Sequence, residues 1–127
     1  MSQASTIAEL RARLRRLAAQ GTTITYQALA TELKLEPPNT IHQLTTLLED
    51  SMREDAQANR PFIAALVVSK RPPYLPRPGF FLLATELGRF SGNDGEAAEF
   101  HARELDRCRS EFHSDKTFGR VGINPAL

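Results

Sequence analysis

The side chains able to do chemistry in this chain are few and widely spaced. Its one cysteine, Cys108, stands between Arg107 and Arg109, a setting that lowers a thiol pKa. It also falls on the apolar stripe of a helical pattern, and burial there predicts an inert thiol. The histidines, His42, His101 and His113, include no i, i+4 pair and have no Cys-x-x-Cys neighbour, so no metal ligand set is expected. Two acidic doublets, Glu49-Asp50 and Glu54-Asp55, lack the neighbouring base or metal ligand that marks acid–base catalysis, and read as solvated helix surface. No glycine-rich phosphate loop, dinucleotide turn or Gly-x-Ser-x-Gly elbow occurs. The expectation is a non-enzymatic protein with no catalytic residues, no cofactor and no metal. An enzymatic reading would need Tyr26, His42 and Cys108 gathered into one pocket.

Residues suited to recognition are better grouped. Asn39, Thr40, His42, Gln43 and Thr46 all hydrogen-bond and fall on the first turns of a predicted helix, the place from which a recognition helix reads base edges. Lys34, Lys70, Arg71 and Arg77 fall in predicted turns and loops, within reach of phosphates. The net charge of +1 conceals alternating blocks. Residues 1–35 carry Arg11, Arg13, Arg15, Arg16 and Lys34 against Glu9 and Glu32. In 36–59, Glu36, Glu49, Asp50, Glu54 and Asp55 face Arg53 alone, and 60–92 return to basic. A basic face is compatible with this pattern, although acidic side chains share the would-be recognition helix.

The elements that must position these residues follow from periodicity. Ile7, Leu10, Leu14 and Leu17 predict a helix over about 6–20, opened by a Thr6-x-x-Glu9 capping box and stopped at Gly21. Thr25 caps a short helix carrying Tyr26, Leu29, Ala30 and Leu33 on one face. Pro37-Pro38 breaks the chain before a long helix over 39–58, with Ile41, Leu44, Leu47, Leu48, Met52 and Ala56 as its stripe. The apolar run from Phe62 to Ser69 predicts a buried strand, and the proline-rich stretch Lys70 to Pro78 the tip of a β-hairpin. Phe80 to Leu87 then predicts a compact aromatic helix with at most a brief returning strand, and 96–113 a last helix. The fold class expected is mainly α with a small β-hairpin, a winged helix-turn-helix core over about 22–90 with additional N- and C-terminal helices.

The 127 residues, 41% of them hydrophobic and 24% charged, predict one globular domain over 1–127. A lone cysteine rules out an internal disulfide framework. With no apolar run of membrane-spanning length and an N-terminus rich in arginine, a cytoplasmic protein without a membrane partner is expected.

The segment Ile24-Thr25-Tyr26-Gln27-Ala28-Leu29-Ala30 resembles the Thr-Tyr-x-x-Leu-Ala opening of the winged-helix DNA-binding domain in methylated-DNA cysteine methyltransferases and alkyltransferase-like proteins. Residues 22–90 are also similar to a group of uncharacterised bacterial proteins, through Ile24 to Ala30, Ala65 to Val68 and Gly79 to Phe81. The resemblance implies a winged helix that contacts duplex DNA. It does not extend to alkyl transfer, because Ala65 to Ser69 holds neither cysteine nor histidine where those enzymes carry Pro-Cys-His-Arg. Duplex DNA is therefore the expected partner, with the helix 39–58 and the basic stretch 70–77 as its surface. The alternative is a protein-interaction module docking through Tyr74, Phe80, Phe81 or the terminal helices. A homodimer joined by the apolar stripes of the terminal helices is compatible with either.

Overall fold

A computed structural model describes the backbone of residues 3–123 and the side chains of residues 6–112. It is mainly helical, with one small two-stranded parallel sheet. In chain order the elements are α1 (Gln3–Gln20), β1 (Ile24–Thr25), α2 (Tyr26–Glu32), α3 (Thr40–Gln57), a 3-10 turn (Ile63–Leu66), β2 (Val67–Val68), α4 (Pro78–Glu86), a second 3-10 turn (Asp94–Glu96) and α5 (Ala97–Ile123). No helix among the described residues is long and apolar enough to cross a membrane.

The predicted helices form where local chemistry favours them. Thr25 caps α2, its Oγ1 accepting the Ala28 N–H at 3.2 Å, and Tyr26, Leu29 and Ala30 turn inward. Gly21 takes φ +73° and ends α1, with Gly21 and Thr22 donating back to the Ala18 and Leu17 carbonyls. The capping box expected at Thr6 is not used, because α1 begins at Gln3 and Thr6 lies inside it. At the far end α5 runs past the expected stop near His113 to Ile123. The side chain of His113 lies outside the described residues.

Two expectations are corrected. The run is buried from Phe62 to Val68, yet only Val67–Val68 is strand; Ile63–Leu66 winds into a 3-10 turn. The expected hairpin is also absent, since β1 and β2 pair in parallel, Ile24 opposite Val67 and Thr25 opposite Val68. The residues 70–77 are therefore not the tip of a ribbon but the connection from β2 into α4. Composition explains this. Pro72, Pro73, Pro76 and Pro78 have no N–H to give a returning strand, and Pro78 instead sits in the first turn of α4. The Ser69 N–H bonds back to the Leu75 carbonyl and closes the loop on itself.

The core is one cluster drawn from every helix, with Leu10, Leu14, Leu29, Leu44, Phe62, Ile63 and Val67 almost wholly enclosed. The stripes of α1 and α5 pack on each other within the chain, so Leu10, Leu14 and Cys108 are buried and not offered to a second copy. Phe80, Phe81, Phe90 and Phe100 form a ring cluster under α4, the closest pair, Phe90 and Phe100, having centroids 4.8 Å apart. Phe80 is thus buried and Phe81 half-buried, contrary to the expectation that they form an exposed docking patch.

Of the two acidic doublets, Glu49, Asp50 and Glu54 stay on the solvated face, and Asp55 alone departs from it. Asp55 is 1% exposed. Its carboxylate accepts the Ile63 N–H at 3.0 Å and meets Arg11 at 3.1 Å and Arg60 at 3.2 Å. Glu54 is bound by the same Arg11 at 2.8 Å. Removing one partner from a buried ionic cluster leaves charge uncompensated, so Asp55→Ala is expected to lower unfolding free energy by about 3–5 kcal/mol. Arg13→Ala, which breaks only the half-exposed pair with Glu32, should cost less than about 1 kcal/mol. Urea denaturation of the three proteins measures both.

Candidate functional site

A concave surface is built where α2, α3, α4 and the proline-rich loop converge. The start of α2 presents Tyr26, whose hydroxyl accepts the Arg77 N–H at 2.8 Å and ties the loop to the helix. Burial raises the Tyr26 phenol above its ordinary pKa, only partly offset by the Arg77 backbone and charge, so it remains a neutral donor and acceptor. The Arg77 guanidinium lies over the Tyr26 ring, 5.7 Å from its centroid. On the loop side of this post is a cavity of about 700 Å³ edged by Thr25, Gln27, Lys70 and Arg71. On the other side, between α3 and the first turn of α4, is one of about 480 Å³ edged by His42, Thr45 and Glu49. Ile41, Arg77 and Pro78 belong to the walls of both.

The expected recognition residues divide on this surface. His42, Lys70, Arg71 and Arg77 come together along it, although Lys70 and His42 are far apart in sequence. Lys34 does not join them. It lines a separate hollow of about 820 Å³ with Arg13, Arg16 and Glu36 at the other end of the α2–α3 turn. Asn39 stands exposed in left-handed conformation at φ +63° before α3, and Thr40 opens the helix. The Gln43 amide is occupied, donating to the carbonyls of Glu36 and Pro38 at 2.9 and 2.8 Å, so it holds the turn. Thr46 is exposed, with its hydroxyl donating to the His42 carbonyl. Thr45, which no pattern singled out, and Ile41, expected on the apolar stripe, line the cavities instead.

The candidates for catalysis are only partly gathered. Tyr26 and His42 line one cavity, but Cys108 is fully buried beneath Phe62, its thiol donating to the Phe62 carbonyl at 3.2 Å. Burial first, then the carboxylates of Glu104 and Asp55, push its pKa far above the ordinary thiol range, outweighing Arg107. His101 is also buried, with Nε2 2.8 Å from the Ala65 carbonyl. A carbonyl only accepts, so Nε2 carries the proton. Among the described residues no group of three or more His, Cys, Asp or Glu side chains is placed to hold a metal.

No family model, curated protein or solved structure matches the chain.

Two outcomes follow from these burials. Cys108 should resist a thiol-specific reagent in native buffer and react at the rate of free cysteine once the protein is unfolded in urea. His101 titrates below its ordinary 6.5 because burial disfavours the imidazolium more than the Ala65 carbonyl and Glu104 favour it. The unfolded chain therefore takes up this proton at higher pH than the native one, and stability present above about pH 6.5 is lost as the pH falls through it. His101→Gln, which keeps a donor for Ala65, should show a smaller drop in melting temperature between about pH 7.5 and about pH 5.5 than the parent protein.

Proposed function

We propose that the chain is a non-enzymatic DNA-binding protein in which α2 and α3 act as a helix-turn-helix and the loop from Ser69 to Arg77 acts in place of a wing. The first turns of α3, with Asn39, Thr40, His42 and Thr46, would lie against base edges in the major groove, and Lys70, Arg71 and Arg77 would contact the flanking phosphates.

The observation that carries this reading is where charge is left over. Lys70, Arg71 and Arg77 are exposed, have no ion pair among the described residues, and border the same concave surface as Ile41 and His42. The acidic side chains of α3 are largely taken up elsewhere. Glu54 and Asp55 belong to Arg11 and Arg60, and Asp50 lies 3.2 Å from Arg53. Of the α3 acids, Glu49 alone borders the cavities. The objection that an acidic helix repels phosphate therefore weakens. The Thr-Tyr-x-x-Leu-Ala resemblance of 25–30 adds support for the helix-turn-helix assignment.

The alternative, a protein-interaction module, draws on Tyr74 at 55% and Leu82 at 66% exposure, the exposed large apolar side chains among the described residues. They lie on the loop and on α4, so variants of them separate the two readings.

A salt series of gel shifts on random duplex is the test. The parent protein should bind at low ionic strength and weaken steeply between about 50 and 200 mM salt. Replacing Lys70, Arg71 and Arg77 together by alanine should flatten the log–log salt slope by about one unit per cation. Tyr74→Ala and Leu82→Ala should leave binding unchanged. Absence of salt-sensitive binding, or full binding by the triple variant, overturns the reading.

A further inference from the structure

The cavity of about 480 Å³ between α3 and α4 has a divided chemistry. Its floor is apolar and buried, made by Leu48, Met52, Ala64 and Phe80. Its rim carries one carboxylate, Glu49, and one guanidinium, Arg77, and no ion pair joins them. The cation nearest Glu49 is Arg53 on its own helix, 4.0 Å away and 54% exposed. Among the described residues Arg77 is engaged by its backbone bond to Tyr26 and by the face of the Tyr26 ring alone. Gly79 leaves room at the mouth: a Cβ there would stand 3.8 Å from the Glu49 Oε2. Two opposite charges thus face one apolar-floored hollow, in the size range that encloses a small molecule, without neutralising each other.

We propose that this cavity binds a small zwitterion with an apolar body, an α-amino acid bearing an aliphatic or aromatic side chain. Its ammonium pairs with Glu49, its carboxylate with Arg77, and its side chain lies on Met52 and Phe80. The selectivity follows from charge. A monoanion meets Arg77 but also the like charge of Glu49, a monocation meets the reverse, and an uncharged apolar molecule partly desolvates both rim groups and pairs with neither. Only a ligand with both charges gains at both ends of the cavity. Arg77 is shared with the phosphate surface proposed above, but this assignment goes beyond nucleic-acid binding and is tested without nucleic acid.

Isothermal titration calorimetry of the full chain with phenylalanine, leucine, phenylpropionate and phenethylamine decides the matter. Phenylalanine or leucine should bind at least about tenfold more tightly than either singly charged analogue, a difference of about 1.4 kcal/mol. Arg77→Ala should reduce phenylalanine to the affinity of phenethylamine, and Glu49→Gln to that of phenylpropionate. Both side chains reach the surface, and the analogue series on the unaltered protein stands even where a variant unfolds. Equal affinity for phenylalanine and both analogues, or no heat from either amino acid up to about 10 mM, overturns the proposal.

Discussion

The structure depends on satisfying one stretch of buried backbone. Residues 62–66 cross the centre of the core without a sheet ladder, so their polar groups need partners from elsewhere. Four side chains supply them. Glu104 accepts the Phe62 N–H, Asp55 accepts the Ile63 N–H, Cys108 donates to the Phe62 carbonyl and His101 to the Ala65 carbonyl. Two of the four are carboxylates, which accept strongly but bring charge into the interior. That charge is answered by Arg11 and Arg60 at Asp55, and by Arg107 at 2.8 Å from Glu104. Arg89 completes the cluster, lying over the Phe62 ring at 4.5 Å with one guanidinium nitrogen donating to the Asp55 carbonyl.

This arrangement ties the proline-rich loop to the core through a short lever. The segment fixed at 62–66 leads directly into Val67–Val68, whose parallel pairing with Ile24–Thr25 sets the position of Thr25, the cap of α2, and of Tyr26 beside it. Tyr26 in turn accepts the Arg77 N–H and holds the far end of the proline-rich loop. Both ends of the basic loop are therefore anchored to the same rigid element, at Ser69 by the strand and at Arg77 by the phenol. The cations between them project from a supported frame, which is the condition for a loop to place charge reproducibly.

Electrostatics sorts the molecule in the same way. Arg11 on α1 is taken up by Glu54 and Asp55 and so ties α1 to α3, and Arg60 closes on the same Asp55 just after α3. Among the described residues the loop cations Lys70, Arg71 and Arg77 have no such ion pair and stay exposed. A net charge near neutrality thus coexists with a basic edge along the loop, because many of the opposite charges are paired with each other elsewhere.

What the sequence determined by itself is what depends on residues three or four apart. The stripe of α3, the Thr25 cap, the Gly21 stop and the aromatic helix after Pro78 were all legible, since capping and amphipathic spacing act within one or two turns. The recognition candidates His42, Lys70, Arg71 and Arg77 were also visible by type. Their shared surface was not, and neither was the role of Gln43 in the turn. Tertiary structure alone decided that an apolar run with strand-like composition becomes a 3-10 turn, that its strand pairs in parallel with Ile24–Thr25, and that Asp55, His101, Glu104 and Cys108 serve buried peptide groups. Except for Asp55, those partners lie 36 to 46 residues from the groups they bind. No local pattern encodes such a pairing, because an acid or a thiol on a helix face looks the same to its neighbours whether water or a buried N–H or carbonyl awaits it.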